Sequence, residues 1–492
     1  MSANTTEPET EDSGDSRVCA DCVGEQFLKA EIVQTGEDAT CHYCGCDGKT
    51  MLIEELADRI EKAFEQHFER TADQPDGFES AMLSDRESDY EWERRGEQTV
   101  YAIASAADID ETIAEDIRVI LSDRHYDHDD ATMGEENEFA EDAHYAETKT
   151  DDHEFQSEWN VFENDIKTAA RFFSNSARAT LERVFKDVRT HRTQAGKSVI
   201  THAGPQATIR ELFRARVFQS DEKLRQALMR PDREIGPPPP DAALPGRMNP
   251  AGIAVFYGAL DVVSALSEVR PPVGSNVVTA RFDVLRPVQL LDVDALREVF
   301  VEGSIFDPAY LPRLQHGKFL GHLSATMSRL VLPADERSGY LVTQVIADYL
   351  ANVEKLDGIL YRSVQSNTPS ANVVLFHHAA AVEPLALPEG TELDANLFWS
   401  TEDGDEIDYT VWEKVPDPPI AKPADDEFSH LTPGPFVDEC LSLPRAPTLK
   451  LDPETVTVHH VSGVTYATLT HPVTRHRTKK PKLGPKPDLS DL

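Results

Sequence analysis

The sequence of 492 residues lacks three features that define common protein classes. No segment approaches the run of about 20 apolar residues that a membrane-spanning helix requires. The first residues, MSANTTEPETEDSGDSR, have neither the basic start nor the apolar centre of a secretory signal peptide. No GxGxxG loop of the dinucleotide-dependent oxidoreductases is present. We therefore expect a cytoplasmic protein that has no membrane partner and is not an oxidoreductase of that type.

Positive charge is scarce, and the deficit is uneven. The chain has 48 Lys+Arg against 88 Asp+Glu, a net charge of −40. Residues 1–160 contain 45 acidic and 12 basic side chains, whereas the remaining residues contain 43 and 36. We interpret the first part as a local acidic module that keeps the chain soluble or attracts a basic partner; adaptation to high salt is the alternative. An acidic surface repels phosphates, which argues against a nucleic acid partner.

Cysteine is also sparse, but five of the six cysteines lie between positions 19 and 46. They include two CxxC pairs that are separated by 18 residues. Such pairs can turn four thiolates toward one tetrahedral ion, and the ion contributes folding energy. The spacing therefore predicts a structural Zn²⁺ site formed by Cys19, Cys22, Cys41 and Cys44. Cys46 and His42 are alternates for one ligand, and redox chemistry is the lesser alternative, since no thioredoxin-like context surrounds either pair.

The periodicity of apolar residues indicates helices in the first part of the chain. Leu52, Leu56, Ile60 and Phe64 recur every four residues and line one helix face. Similar spacing occurs in Asp110–Leu121 and in Asn164–Thr190. The predicted organisation is a disordered acidic leader at 1–16, a four-Cys zinc-binding segment at 17–50 and an acidic helical domain at 51–200.

The character of the sequence changes near residue 200, where Gly, Pro and β-branched residues become frequent. The apolar runs IAVFY (253–257) and NVVLF (372–376) predict strands, and Val278, Ala280, Phe282 and Val284 alternate like a half-buried strand. Helical spacing occurs at Ala259–Val269 and Tyr340–Leu356. The second half is therefore mixed α and β. An extension at 379–492 adds a strand pair and a Pro-rich, partly basic tail.

Three segments of the second half follow one another in a distinctive order: GRMNPAGIAVFYGALDVVSALSEVRP, RFDVLRPVQLLDV and SGYLVTQVIADYLANVEKLDGILYRSVQSNTPSANVVLF. Their order, content and spacing resemble the RES domain family, named for its Arg, Glu and Ser, over residues 205–378. The Cys-rich start and the helical region also resemble the HEPN-related N-terminal region that is fused to some RES domains. The resemblance implies a multi-domain chain, in which a zinc ribbon-like knuckle and an α-helical region precede an α+β RES domain. That domain is similar to the ADP-ribosyltransferase fold, a split mixed sheet with flanking helices around an NAD⁺ cleft.

The resemblance also implies an activity and a set of site residues. Characterised RES domains are toxins that deplete NAD⁺ by hydrolysis or phosphorolysis, so an antitoxin or regulatory protein is a candidate partner. By match to the family motifs, the site residues are Arg247, Tyr257, Glu268 and Ser363. Arg214 and Arg216 resemble the opening strand of the family, and Arg214 is a further candidate for substrate binding. Arg362 is a departure, since a proline or small residue is common before the serine; it is expected to add a charge beside the pocket.

These residue types suit the chemistry. Breaking the nicotinamide–ribose bond creates an oxocarbenium-like centre, which a carboxylate such as Glu268 would stabilise. Arg247 would hold the diphosphate, Tyr257 would pack against nicotinamide or its ribose, and Ser363 would position the substrate by hydrogen bonding. NAD⁺ would thus be a consumed substrate, with water, phosphate or a protein side chain as the acceptor of the ADP-ribosyl group.

Three other functions stay open at this point. Arg118 and His125, with six residues between them, match the pattern of a HEPN-like ribonuclease. The second half could instead transfer ADP-ribose to a protein target. It could also be a non-catalytic binding module. Apart from the ribonuclease alternative, the N-terminal region is a candidate sensor or self-inhibitory module, because its acidity and composition set it apart.

Overall fold

The computed structural model describes residues 16–85, 88–128, 136–170, 174–328, 336–363, 370–401, 404–416, 446–465 and 468–477. The predicted acidic leader, except for its last residue, and the basic tail beyond residue 477 lie outside the described residues. None of the helices in this part of the chain combines the length and apolar character that a membrane crossing requires.

The N-terminal part, up to residue 147, combines helices with two small antiparallel sheets. The strand orders are β1-β3-β2 and β4-β6-β5. The strands are β1 Arg17–Cys19, β2 Glu37–Thr40, β3 Asp47–Leu52, β4 Phe68–Arg70, β5 Glu97–Gln98 and β6 His144–Glu147. The helices are α1 Gln26–Thr35, α2 Ile53–His67, α3 Gly77–Ser84, α4 Thr99–Ala107 and α5 Glu111–Arg124.

One hydrophobic core joins the cysteine-rich segment to these helices. Val18, Leu28 and Ile32 from the first fifty residues are fully buried against the apolar face of α2. The face predicted from the sequence is confirmed for Leu56, Ile60 and Phe64, which are all buried, whereas Leu52 is the last residue of β3 and precedes the helix. The cysteine-rich segment therefore packs on the helical region instead of projecting from it.

The remainder of the chain is built on one nine-stranded mixed sheet, of order β14-β17-β10-β8-β9-β13-β12-β11-β7. Its strands are β7 Ile200–Ala203, β8 Glu211–Phe218, β9 Phe256–Ala259, β10 Asn276–Val284, β11 Val288–Asp292, β12 Gly358–Arg362, β13 Ala371–Leu375, β14 Val382–Glu383 and β17 Leu449–His460. A separate hairpin consists of β15 Glu392–Thr401 and β16 Gly404–Lys414. The helices are α6 His153–Thr168, α7 Asn175–Val184, α8 Asp221–Met229, α9 Pro231–Glu234, α10 Val262–Glu268, α11 Tyr310–Ser328 and α12 Glu336–Asn352.

The large sheet is nearly divided between β8 and β9. These two neighbours share one register pair, Phe213 with Ala259, whereas β8 pairs with β10 along eight residues. The alternation predicted for β10 is confirmed, because Val278, Ala280, Phe282 and Val284 are buried. The loss of pairing between β8 and β9 opens a cleft in the sheet.

Two helices that precede the large sheet belong to its hydrophobic core. Phe155 and Trp159 of α6 and Leu181 of α7 are buried in the same cluster as Leu291 and Phe376. Conversely, Phe306, which lies just before α11, is buried in the N-terminal core. The two halves of the chain are thus interlocked, and the domain bounds given above remain a prediction.

Several element boundaries differ from those expected. The run 253–257 is not one strand, because β9 begins at Phe256, and helix α10 begins only at Val262. Asp261 caps that helix by accepting a hydrogen bond from the Ser264 N–H at 2.8 Å, so the helix begins at Val262 and not at Ala259. The helix expected at Asn164–Thr190 is two helices, α6 and α7.

Candidate functional site

A cavity of about 280 Å³ lies at the division between β8 and β9. Its walls include Arg214 of β8, Tyr257 of β9, Glu268 at the end of α10, and Tyr361 and Asn372 from β12 and β13. Three of the residues singled out in the sequence, Arg214, Tyr257 and Glu268, are therefore brought together around one space. The cavity is smaller than the usual 300–1,000 Å³ of pockets for drug-sized ligands, so it suits part of a dinucleotide.

Glu268 is the acidic residue among those that line the cavity. Its carboxylate accepts a hydrogen bond from Asn372 Nδ2 at 3.1 Å. The residue as a whole is exposed to solvent, although many protein atoms lie around its carboxylate. This desolvation raises the pKa of Glu268, and the hydrogen bond from Asn372 and the charges of Arg270 and Arg247 offset only part of the rise.

Arg214 contributes a positive charge to the cavity wall. Its guanidinium carbon lies 5.0 Å from the centre of the Phe256 ring. Nη1 is buried and has no hydrogen bond partner among the described residues. Burial and the nearby charge of Arg216 lower the pKa of Arg214 to about 10, so the side chain stays protonated at neutral pH. A buried cation in this state has capacity for an anion or another acceptor.

Tyr257 joins the cavity to the loop that carries Arg247. Its hydroxyl donates a hydrogen bond to Asn249 Oδ1 at 2.8 Å and accepts one from the Met248 N–H at 3.0 Å. The side chain of Gln344 on α12 donates to the carbonyl oxygen of Gly246 at 2.7 Å. A Cβ atom at Gly246 would lie 2.6 Å from the tyrosine hydroxyl, which explains why glycine occupies this position.

Arg247 lies beside the cavity but is not among the residues that line it. Its Nη2 donates a hydrogen bond to the carbonyl oxygen of Met327, near the end of α11. Its guanidinium carbon is 5.8 Å from the centre of the Tyr361 ring. The charge of Arg247 lowers the pKa of Glu268, which is consistent with the two side chains facing the same region.

Ser363 is also outside the cavity lining. It follows β12 two residues after Tyr361, is 3% exposed, and its Oγ has no hydrogen bond partner in the described part of the chain. Arg362 is exposed, whereas its neighbours Tyr361 and Ser363 are buried. Because successive residues of a strand face opposite sides of a sheet, Arg362 points away from the cavity. The expectation that it adds a charge beside the pocket is therefore wrong.

Two further polar residues at the site were not singled out in the sequence. Asn372 holds Glu268, and Asn249 holds the Arg247 loop through bonds from its Nδ2 to the carbonyl oxygens of Leu244, Pro250 and Ile253. Both side chains are buried, at 2% and 4% exposure. Asn249 stands two residues after Arg247 within GRMNP, and Asn372 begins NVVLF. Both residues therefore lie in motifs quoted above, but no feature of the sequence distinguishes them as site residues.

The four predicted cysteines form one cluster. Their sulfur atoms lie within 4.8 Å of one another, with Cys19 3.5 Å from Cys44 and Cys22 3.8 Å from Cys41. Zn–S bonds of about 2.3 Å in a tetrahedron place sulfurs about 3.8 Å apart, so the spacing fits a four-thiolate zinc site. The cluster contains neither of the alternates, Cys46 and His42.

The Arg118 and His125 pair is engaged in the acidic region. Arg118 forms an ion pair with Glu115 at 2.7 Å, and His125 contacts Glu61 at 2.7 Å and Glu138 at 3.3 Å. The side chains of Arg118 and His125 would have to contact an RNA phosphate, but they already contact these carboxylates. The arrangement gives no support to a ribonuclease site here.

Comparisons with known proteins address the two halves separately. A family model described as RES domain matches residues 211–396, and one described as HEPN/RES N-terminal domain 1 matches residues 34–180. No curated protein matches the chain. A chain in a crystal structure of the M. tuberculosis MbcT–MbcA toxin–antitoxin complex is 13% identical, and the match covers 40% of this chain and 81% of that one with a TM-score of 0.21. A TM-score of that size does not establish a common fold.

Proposed function

We propose that this chain degrades NAD⁺ by cleaving the nicotinamide–ribose bond, because residues 211–396 match the RES domain model and residues 34–180 match the model of the HEPN/RES N-terminal domain 1. The RES family is associated with enzymes that act on NAD⁺. In the proposed role the chain is a toxin of a toxin–antitoxin or defence system, and an antitoxin or regulatory protein is its partner.

One observation carries the proposal: a carboxylate and a half-buried arginine line the same cavity inside the matched residues. Glu268 and Arg214 both line it, and the side chain of Tyr257 completes the wall. A carboxylate can stabilise the cationic centre that forms on the substrate, and an arginine can bind a hydrogen bond acceptor of the same substrate. The division of the sheet gives the substrate access to both strands.

The chemistry assigned to these residues is a substitution at the anomeric carbon of the nicotinamide ribose. The bond from this carbon to the ring nitrogen breaks, and its electron pair goes to nicotinamide, which leaves as a neutral molecule. Ionised Glu268 stabilises the positive charge that develops on the ribose. Water or phosphate then forms the new bond to carbon, and a water nucleophile releases its proton to Glu268 or to solvent.

The remaining candidates position the substrate. Arg247 is assigned to the diphosphate because its loop is held by Tyr257 and α12 close to Glu268. Ser363 is assigned a hydrogen bond to the substrate through its buried hydroxyl. Tyr257 is a positioning residue, since its hydroxyl is already engaged with the Arg247 loop.

The cysteine cluster is proposed to hold a structural Zn²⁺ ion. Four thiolates close the coordination shell, so the ion would supply folding energy and no open position for catalysis. Its ligands flank β1 and β3, and these strands belong to the N-terminal core.

The test is nicotinamide release from NAD⁺ by the full chain, with and without phosphate, beside Glu268→Ala. We expect release by the wild type and a loss of at least a hundredfold in the variant, since electrostatic stabilisation of this kind contributes about that factor. Dependence on phosphate would identify phosphorolysis, and ADP-ribose attached to protein would identify transfer. Growth arrest on expression, relieved by Glu268→Ala, would support the toxin role. Absence of release from folded protein in both buffers would refute the enzymatic proposal.

A further inference from the structure

Two buried polar atoms without partners lie in the walls of the same cavity. They are Arg214 Nη1, a donor, and Asn372 Oδ1, an acceptor, and neither has a hydrogen bond within the described residues. A buried group left without a partner costs about 1–3 kcal/mol, so most such groups in folded proteins are satisfied. Two of opposite type in one cavity indicate a ligand that supplies one acceptor and one donor.

The orientation of Asn372 is set by its neighbour. Its Nδ2 donates to Glu268 Oε2 at 3.1 Å. A flipped amide would place Oδ1 against the carboxylate, where two acceptors repel each other. Oδ1 is therefore the atom left over for a ligand that enters the cavity lined by Asn372.

Arg214 is equally constrained. The guanidinium packs over the Phe256 ring, with 5.0 Å between its central carbon and the ring centre. No carboxylate within the described residues forms an ion pair with it. Among neighbouring charged groups, the one that most affects the pKa of Arg214 is another cation, Arg216. A ligand in the cavity can therefore supply the missing acceptor.

We propose that Asn372 and Arg214 together recognise the carboxamide of the nicotinamide ring. Asn372 Oδ1 accepts a hydrogen bond from the amide NH₂, and Arg214 Nη1 donates one to the amide oxygen. The inference rests on the proposed function and names the group that determines its substrate. A carboxamide carries one donor and one acceptor on a single planar group, whereas a phosphate carries acceptors that would oppose Asn372 Oδ1. Asn372 thereby becomes a specificity-determining residue as well as the partner of Glu268.

The experiment compares NAD⁺ with nicotinic acid adenine dinucleotide, in which a carboxylate replaces the carboxamide. For the full-length wild type we expect kcat/KM to favour NAD⁺ by about a hundredfold, because the carboxylate offers no donor to Asn372 and is repelled by Glu268. Asn372→Ala should reduce this preference by about tenfold or more. If Asn372 acts only by holding Glu268, the variant would slow both substrates equally. An unchanged ratio of the two kcat/KM values, or a wild type without preference, would overturn the inference.

A second measurement needs neither a variant nor turnover. Titration calorimetry of the wild type with nicotinamide and with nicotinic acid should show tighter binding of nicotinamide, by about tenfold or more. Equal binding of the two would overturn the carboxamide assignment even if NAD⁺ is cleaved. Conversely, the wild type could bind nicotinamide selectively but never release it from NAD⁺. That result would support the carboxamide assignment and refute the proposed function, so the failure of one can be distinguished from the failure of the other.

Discussion

The hydroxyl of Tyr257 donates a hydrogen bond to Asn249 Oδ1 at 2.8 Å while it accepts one from the Met248 N–H at 3.0 Å. A tyrosine of the cavity wall thus fixes the conformation of the loop that carries Arg247. Tyr257→Phe should leave both loop groups without a partner and destabilise the fold by about 2 kcal/mol. A displaced Arg247 should also lower kcat/KM for NAD⁺ by about tenfold to a hundredfold.

Thermal unfolding and nicotinamide release measure the two effects. Tyr101→Phe is the matched control, because Tyr101 is 48% exposed on α4 in the N-terminal part. Wild-type stability and activity in Tyr257→Phe would mean that the hydroxyl does not hold the loop.

Glu268 should make activity and stability respond to pH in opposite directions. Burial raises its pKa above the ordinary value for glutamate, about 4.3. The ionised form stabilises the cationic centre, so kcat/KM should fall as pH drops through this raised pKa. The Glu268 carboxyl binds its proton more tightly in the folded state than in the unfolded state. The free energy of unfolding therefore falls as pH rises through the same pKa. Glu268→Gln should therefore abolish activity and raise the melting temperature at neutral pH only slightly, because solvent screens the charge of this exposed side chain.

The control for this substitution is Glu389→Gln, which changes an exposed glutamate outside the cavity lining. It should preserve both the pH profile and the melting temperature. A melting temperature at neutral pH that is lower in Glu268→Gln than in the wild type would contradict the assigned desolvation of the carboxylate.

How far the sequence predicts this site depends on the range of the interaction. The CxxC pairs and the apolar alternation from Val278 to Val284 are local patterns, and the cysteine cluster and strand β10 follow them. The hydrogen bond from Asn372 to Glu268 joins residues 104 positions apart, and it exists because β13 pairs with β9 next to α10. Likewise, periodicity shows that α6 has an apolar face but not which partner covers it. No local pattern carries that information.

Removal of zinc should unfold the N-terminal core. We expect the purified protein to contain one zinc ion per chain, as measured by elemental analysis. Cys19→Ser or Cys41→Ser should lose the ion and several kcal/mol of stability, because the two residues are buried and the cluster joins β1 to the loop before β3. Cys46→Ser should retain the metal, since Cys46 is exposed and outside the cluster. Metal-free wild type, or equal loss in all three variants, would contradict the assignment.

Truncation should show where the catalytic half begins. A fragment of residues 201–492 lacks α6 and α7, whose buried side chains share a core with the large sheet. Each buried aromatic such as Phe155, Trp159 or Phe185 contributes about 1.5–3 kcal/mol, so we expect this fragment to aggregate or to unfold without a cooperative transition. Residues 149–492 keep that core and should fold.

The longer fragment also tests whether the N-terminal half regulates the enzyme. It exposes Phe306, which is 5% exposed in the full chain and packs in the N-terminal core, so the fragment is best made with Phe306→Ser to limit aggregation. Phe306 lies just before α11, and Met327 near the other end of that helix accepts the hydrogen bond from Arg247. If the N-terminal half restrains Arg247 through α11, the fragment should differ from the full chain in kcat/KM for NAD⁺. Equal kcat/KM values for the fragment and the full chain would mean that the N-terminal half does not restrain Arg247. A cooperatively folded and active fragment of residues 201–492 would show that α6 and α7 are dispensable for the catalytic core.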